Sequence, residues 1–202
     1  MKKIPTLFRR EFENHKVVKV LPEYTNETCQ QALYSGRPTV KWDGSCCAVI
    51  DGVFYKRYDA KKGKPIPENA IKCQHLPDPI TGHLPCWVPV NKDDPSDKWF
   101  VAAMDEVCKF GAKLPDGTYE AIGKHFQGNP YHLEDDILIL HGAAVLDDFV
   151  LPDGPNIDFQ YEYIYKYLAS NEIEGIVFWK DDEPVCKIKR TDFGLPWPIK
   201  EE

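Results

Sequence analysis

The chain lacks any long hydrophobic run. No segment approaches the roughly 20 consecutive apolar residues that a membrane-spanning helix needs. Its first residues, Met1-Lys2-Lys3-Ile4-Pro5, also lack the apolar stretch and the small-residue cleavage site of a secretory signal. The sequence therefore predicts a cytoplasmic protein that is not integral to a membrane.

A complete disulfide framework is absent as well. The seven cysteines are an odd number, and Cys46 and Cys47 are adjacent, an arrangement that rarely forms a bridge. Reduced thiols are typical of the cytoplasm. Two thiolates and two imidazoles from Cys73, His75, His83 and Cys86 offer one alternative use, a zinc site, although their spacing is irregular for a known zinc finger.

A basic composition is the third feature that the chain does not have. Its net charge of −7 argues against a surface that is basic all over, which is the usual property of nucleic-acid binders. Any contact with nucleic acid must therefore be local. One candidate cluster is Lys56, Arg57, Lys61, Lys62 and Lys64, and a second is Lys187, Lys189 and Arg190.

The organisation along the chain is that of one domain over residues 1–202. The sequence has no internal repeat and no low-complexity segment, and its 17 prolines are spread among turns. The hydrophobic patterns predict an α+β domain dominated by antiparallel strands. Helices are predicted at 26–34, 100–110 and 158–169, and strands at 46–50, 53–58, 87–90, 119–122, 137–146, 175–179 and 184–188.

Asp51-Gly52 between two β-prone runs is a strong signal for a hairpin. We expect Lys41 at the start of this hairpin and Arg57 on its returning strand. A second hairpin is predicted around Asp181-Asp182-Glu183, and Asp158 is the predicted cap of the last helix.

Several charged residues could carry chemistry, but each has an ordinary alternative. Lys41, in Lys41-Trp42-Asp43-Gly44, would by itself be a solvated surface lysine. Arg57 could simply pair with Asp59, and Glu174 could face solvent at a strand start. The spacing of Lys187 and Lys189 places both on one strand face, as two phosphate contacts or a solvated stripe would require.

The order of these motifs resembles a known pattern. Lys41-Trp42-Asp43-Gly44, Arg57, Glu120, Glu174 and Lys187-Ile188-Lys189 are similar to the motifs of the covalent nucleotidyltransferase superfamily, which contains RNA ligases, DNA ligases and mRNA-capping enzymes. Further segments resemble the small stand-alone 5′-to-3′ RNA ligases, a family with an animal member. These are Gly82-His83-Leu84-Pro85, Trp87-Val88-Pro89-Val90, Gly128-Asn129-Pro130-Tyr131, His141-Gly142-Ala143 and Gly194-Leu195-Pro196-Trp197-Pro198.

The resemblance implies a fold and an activity. The fold would be an antiparallel-sheet nucleotidyltransferase (adenylation, ATP-grasp-like) domain without a C-terminal oligonucleotide-binding barrel. The activity would be ATP-dependent joining of RNA 5′-phosphate and 3′-hydroxyl ends, with Mg²⁺ or Mn²⁺. An RNA partner is implied, while the oligomeric state, monomer or other, is not predicted.

The resemblance also implies a role for each motif residue. Lys41 would carry AMP covalently, and Lys187 and Lys189 would bind the α-phosphate. Arg57 and Glu120 would contact the ribose. The metal would be held with the help of Glu174 and Asp43.

Base recognition departs from the family pattern. Val40 stands where many RNA ligases have a glutamate that reads adenine, and the aromatic residue that stacks on the base is missing unless His141 takes its part. Lys61, Lys62 and Lys64 are the predicted RNA contacts. Two alternatives are a nucleotidyltransferase with another acceptor and a nucleotide- or RNA-binding module without turnover.

Overall fold

The computed structural model describes residues 1–13, 16–79, 81–109, 111, 113–154 and 156–199. The strands in this part of the chain are β1 (Phe8–Glu13), β2 (Lys16–Tyr24), β3 (Arg37–Lys41), β4 (Ser45–Ile50), β5 (Val53–Ala60), β6 (Ile71–Lys72), β7 (Leu84–Pro89), β8 (Gly117–Ile122), β9 (Ile137–Leu140), β10 (Gly175–Lys180) and β11 (Glu183–Lys189). The helices are α1 (Glu27–Ser35), α2 (Lys98–Cys108) and α3 (Ile157–Ser170). These strands pair antiparallel, which confirms the predicted α+β class. Among the described helices none is long and apolar enough to span a bilayer.

The chain divides into two compact units, and each unit is built from two stretches of sequence. The first unit comprises Met1–Lys3 and Asp43–His141, and the second comprises Ile4–Trp42 and Gly142–Glu202. Lys41 therefore belongs to the second unit, although the motif that contains it continues into the first.

A six-stranded sheet forms the first unit, in the order β6-β7-β5-β4-β8-β9. Successive side chains of a strand point to opposite faces. One face packs against α2 around a buried core made of Cys47, Val49, Ala103, Tyr119, Ala121 and Phe126. The alternate residues Cys46 and Glu120 therefore lie on the face away from α2.

The second unit contains a three-stranded sheet, in the order β11-β10-β3, and the β1-β2 hairpin. Its core includes Ile164 and Leu168 of α3, Leu33 of α1, and Cys186 and Ile188 of β11. Because Cys186 and Ile188 face this core, Lys187 and Lys189 project from the other face of β11.

Both predicted hairpins are confirmed. Asp51 and Gly52 adopt φ values of 50° and 73°, and Asp181 and Asp182 adopt 51° and 58°. Positive φ at both central residues matches the twist of the strands that such a tight turn connects.

The three predicted helices are also present, with shifted ends. The third begins after Asn156, whose side-chain oxygen accepts from the backbone N–H of Phe159 at 3.1 Å. The prediction of Asp158 as the cap was wrong. Asp158 lies instead in the first turn, where its negative charge interacts favourably with the positive end of the helix dipole. The predicted end of the second helix at residue 110 lies outside the described residues.

Two strand predictions were wrong in a way that matters for the site. Lys41 does not begin the β4-β5 hairpin; it ends β3, which pairs with β10. The predicted strand 137–146 stops at Leu140, because Gly142 adopts a φ of 79°. The first 25 residues carried no prediction, yet 8–13 and 16–24 form β1 and β2.

Candidate active site

Three lysines and one glutamate meet on the β11-β10-β3 sheet of the second unit. We call Lys41, Glu174, Lys187 and Lys189 the lysine cluster. Gly175 of β10 opposes Lys41 on one side and Lys189 on the other. Directly opposed residues of antiparallel strands share a face, so the two lysines flank a position without a side chain.

Gly175 is required for this arrangement. A Cβ atom at residue 175 would lie 2.2 Å from the carbonyl oxygen of Ile188 and 2.9 Å from the Cα of Lys189. The backbones of β10 and β11 approach too closely for any other residue. In the motif Glu174-Gly175, the glycine allows β10 and β11 to approach closely, and this approach places the Glu174 carboxylate between Lys41 and Lys189.

The carboxylate of Glu174 is buried and bonded to two ammonium groups. Lys41 Nζ donates to Glu174 Oε2, and Lys189 Nζ lies 3.3 Å from Oε1. The Glu174 side chain is only 6% exposed, against 21% for Lys41 and 30% for Lys189. One buried carboxylate thus fixes the positions of two lysines whose side chains remain partly exposed to solvent.

Lys187 completes the cluster as its least compensated member. Burial lowers the pKa of Lys187 from 10.5 to about 8, and the neighbouring charges of Lys41, Lys189 and Arg10 act in the same direction. Glu174 opposes this shift without cancelling it. Among the described residues no carboxylate forms an ion pair within 4 Å of the Lys187 ammonium group. The nearby Arg10 binds Asp192 through Nε and Nη2, at 2.9 and 2.7 Å.

Such a cluster has an excess of positive charge over its single carboxylate. Fixed cations of this kind stabilise phosphate groups and the negative charge that develops on them. A lysine attacks phosphorus only as the neutral amine, and Lys41 has a carboxylate next to its Nζ that can accept a proton. The arrangement is suited to nucleotidyl transfer onto Lys41.

The first unit holds two more of the predicted site residues, Glu120 and His141, together with Cys46, which was not predicted. We call Cys46, Glu120 and His141 the Cys46 cluster. His141 Nε2 lies 2.8 Å from Glu120 Oε2, and His141 Nδ1 lies 2.9 Å from Thr118 Oγ1. Burial raises the pKa of Cys46 to about 12, and the charge of Glu120 adds to this effect.

Arg57 lies on β5 as predicted and makes several contacts within the first unit. Its Nε donates to Asp59 Oδ1 at 2.8 Å, and its Nη1 donates to the carbonyl of Met1 at 2.8 Å. The guanidinium also lies 5.9 Å from the ring centre of Trp87. The alternative pairing with Asp59 is therefore present, and the ribose role of Arg57 stays a prediction.

Comparison with known proteins adds independent information on family. The family model of RNA ligase 1 matches residues 105–202. RNA ligase 1 of Pongo abelii is 26% identical, over 99% of this chain and 83% of the relative. RNA ligase 1 of Mus musculus is 24% identical over 99% of this chain and 82% of the relative. The predicted resemblance to RNA ligase 1 is confirmed. RNA ligase 1 of Danio rerio is 26% identical over 72% of this chain and 48% of the relative.

The RNA ligase 1 matches cover the candidate residues unevenly. The family model includes Glu120, His141, Glu174 and the two lysines of β11. Lys41 and Arg57 precede residue 105, so they fall only within the alignments to the individual relatives. The geometry of Lys41 is thus an argument separate from the family model.

The remaining predicted residues have defined positions. The backbone N–H of Val40 donates to the carbonyl of Ala144 at 2.9 Å. The backbone N–H of Asp43 donates to the hydroxyl of Tyr131 at 2.6 Å. Lys61, Lys62 and Lys64 are exposed in a turn after β5. The cysteines and histidines of the alternative zinc site form no described group in which three ligand atoms lie within 4.8 Å of one another.

Sequence reasoning missed two residues that contact the predicted ones. Cys46 opposes Glu120 in the β4-β8 register, and Thr118 holds the ring of His141. A signal for Cys46 was available: only one of two adjacent cysteines in a strand can face the core, and the other must face the opposite side. Thr118 gave no comparable signal, because its contact depends on a strand partner 23 residues away.

Proposed function

We propose that this chain is an ATP-dependent RNA ligase that joins 5′-phosphate and 3′-hydroxyl ends through a covalent lysyl-AMP intermediate. The observation that carries the proposal is the lysine cluster, in which Lys41, Lys187 and Lys189 surround the buried carboxylate of Glu174. The similarity to RNA ligase 1 proteins supports RNA as the acceptor.

In the first step Lys41 is the nucleophile. Its neutral Nζ attacks the α-phosphorus of ATP, an N–P bond forms, and the bond from that phosphorus to the bridging oxygen breaks as pyrophosphate leaves. The amine proton passes to Glu174 or to solvent. Lys187 and Lys189 stabilise the negative charge that develops on the α-phosphate oxygens.

In the later steps AMP moves from Lys41 to the RNA. A 5′-phosphate oxygen attacks the lysyl-AMP phosphorus, which restores the free amine and gives an RNA-adenylate. The 3′-hydroxyl oxygen then attacks the 5′-phosphorus, AMP leaves, and a phosphodiester bond joins the two ends. Lys187 and Lys189 would also stabilise these two displacements, because negative charge develops on the phosphate oxygens in each of them.

Roles for the nucleotide's remaining parts are proposed from the resemblance. Glu120 and Arg57 bind the ribose hydroxyls, His141 contacts the base, and Val40 flanks it. Glu120 and His141 are already joined by a hydrogen bond of 2.8 Å. In this arrangement the Glu120 carboxylate could accept hydrogen bonds from the ribose hydroxyls, and the His141 ring could contact the base.

Mg²⁺ is the proposed cofactor, with Glu174 and Asp43 as candidate ligands. Mg²⁺ prefers oxygen ligands and is commonly held by one or two carboxylates together with phosphate oxygens and water. Glu174 fits this requirement, although the cation must compete with the ammonium groups that the carboxylate already binds. When bound, the ion neutralises phosphate charge and helps pyrophosphate leave.

Incubation with ATP labelled in the α-phosphate tests the first step. We expect a covalently labelled chain, and we expect Lys41→Arg to abolish the label. Arginine keeps a positive partner for Glu174 but has no neutral amine to offer. Lys166→Arg, on the exposed side of α3, is the matched control and should be labelled as the wild type is. Label retained in Lys41→Arg contradicts the proposal.

Sealing of a 5′-phosphorylated RNA tests the acceptor. A sealed product is expected with the wild type and not with Lys41→Arg. Lysyl-AMP without sealing of RNA points to a nucleotidyltransferase with another acceptor. Nucleotide binding without lysyl-AMP points to a binding module.

A further inference from the structure

The Cys46 cluster brings together three different kinds of metal ligand. The Sγ of Cys46, a carboxylate oxygen of Glu120 and a ring nitrogen of His141 all lie within 4.8 Å of one another. Among the described residues this is the one group of three such ligands at that spacing. None of the three was predicted as a metal ligand from the sequence.

The backbone of the sheet holds these ligands in place. Cys46 on β4 directly opposes Glu120 on β8, so their side chains share a face. The backbone N–H of His141 donates to the carbonyl of Thr118 at 2.9 Å, which extends the ladder beyond β9. Thr118 precedes Glu120 by two residues and so faces the same side. The cluster needs no loop movement to assemble.

The hydrogen bonds of His141 suit metal binding. When Nδ1 donates its proton to Thr118 Oγ1, 2.9 Å away, Nε2 is the nitrogen with the lone pair. Nε2 lies 2.8 Å from Glu120 Oε2, so both atoms could bind one cation placed between them. Metal-binding histidines typically have their other ring nitrogen held by such a partner.

We propose that Cys46, Glu120 and His141 bind a thiophilic divalent cation of the zinc class. A sulfur, a nitrogen and an oxygen ligand together favour Zn²⁺ over Mg²⁺ and Ca²⁺, which prefer oxygen alone. On binding, the Cys46 thiol loses its proton to solvent and a sulfur–metal bond forms. The cation would bind His141 Nε2 and a carboxylate oxygen of Glu120, and any proton held between these two atoms also passes to solvent. Three protein ligands leave a fourth position for water.

A consequence of this site rests on the proposed function. Glu120 and His141 are also the proposed contacts of the ribose and base, so the cation and the nucleotide would compete for the same atoms. Zinc would then inhibit adenylylation by excluding ATP, in contrast to Mg²⁺, which would support it.

Metal binding is tested first, without nucleotide, on the full chain free of any histidine tag. Calorimetry with Zn²⁺ should give one site, and Co²⁺ as a probe should give a thiolate-to-cobalt charge-transfer band. Cys46→Ser should remove the band, and His141→Ala should weaken Zn²⁺ binding about tenfold or more. Cys108→Ser, at an exposed cysteine on α2, is the matched control and should keep both signals.

The outcomes separate the two proposals. A cobalt band that survives Cys46→Ser, or Zn²⁺ binding unchanged in His141→Ala, overturns the metal site, and circular dichroism of each variant verifies its fold. The second measurement is ATP binding in the presence of Zn²⁺. If Zn²⁺ binds through Cys46 but ATP affinity is unchanged, the metal site stands and the nucleotide role of Glu120 is contradicted.

Discussion

The two clusters differ in how charge is balanced. In the lysine cluster, the single carboxylate of Glu174 faces the three ammonium groups of Lys41, Lys187 and Lys189. In the Cys46 cluster, the carboxylate of Glu120 faces the imidazole of His141 and the thiol of Cys46, and burial raises the pKa of that thiol. Glu120 and Glu174 are both buried, but only Glu174 lies among several positively charged side chains.

This difference indicates which ligand each cluster suits. An excess of fixed positive charge favours an anion such as phosphate, because the cations repel one another until the anion arrives. A thiol, an imidazole and one carboxylate together favour a nucleoside or a soft cation. The chain thus carries a cluster with excess positive charge on one sheet and a cluster of a thiol, an imidazole and a carboxylate on the other.

Replacing each acid by its amide gives the largest expected effect. Glu174→Gln should lower the free energy of unfolding by about 2 to 4 kcal/mol, somewhat below the range for a fully buried ion pair, because its lysine partners are partly exposed. The matched change Glu120→Gln should cost about 1 kcal/mol, since an amide can keep a hydrogen bond with His141. Urea unfolding at neutral pH measures both. Equal decreases in the free energy of unfolding of the two variants would mean that the different charge balance of the two clusters does not affect stability.

The pH dependence of stability is the next test. The folded-state pKa of Lys187 is lowered to about 8 from 10.5. Below pH 8 the folded chain carries this ammonium at a cost, and the cost disappears as pH rises from 8 to 10.5. We therefore expect the stability of the wild type, relative to Lys187→Met, to rise by about 1 to 3 kcal/mol across that window.

Paired urea titrations of the wild type and Lys187→Met at pH 7.5, 9 and 10.5 measure this difference directly, since other titrating groups cancel. Lys166→Met is the control, because Lys166 is exposed on α3. Its difference from the wild type should stay flat with pH. A flat difference for Lys187→Met as well would contradict the lowered folded-state pKa of Lys187.

The smallest effect on stability is expected at the exposed turn after β5. Reversing charge at Lys61, Lys62 and Lys64 to glutamate should change the unfolding free energy by no more than about 0.5 kcal/mol. RNA sealing should weaken while labelling of Lys41 by ATP is retained, because a surface cation acts on the RNA and not on the nucleotide. Glutamate at the exposed Lys92, Lys113 and Lys124 is the charge-matched control. Loss of labelling and sealing together would count against an RNA-binding role.

Local sequence patterns predicted much of the fold. Both tight turns were predicted from aspartate and glycine between β-prone runs, and the helices from their apolar periodicity, because these signals act within a few residues. The partner of β3 was not predictable in this way. β3 pairs with β10, more than a hundred residues further along the chain, so Lys41 was assigned to the wrong strand pair.

The candidate site shows the same division. The order of motifs named Lys41, Glu174, Lys187 and Lys189, but not that Glu174 bonds two of the lysines or that Gly175 allows the contact. Cys46 was overlooked because a thiol has no place in the motif pattern. Its register against Glu120 revealed its place in the cluster.

The division of the second unit into two stretches of sequence has a consequence for protein synthesis. During translation, β3 is complete when Lys41 leaves the ribosome, but β10, its neighbour in the sheet, begins at Gly175. Until then the strand that carries Lys41 has no sheet to join. Lys41 is therefore seated in its sheet only after residue 175 has been synthesised, and a message truncated before residue 175 yields a polypeptide that cannot seat Lys41.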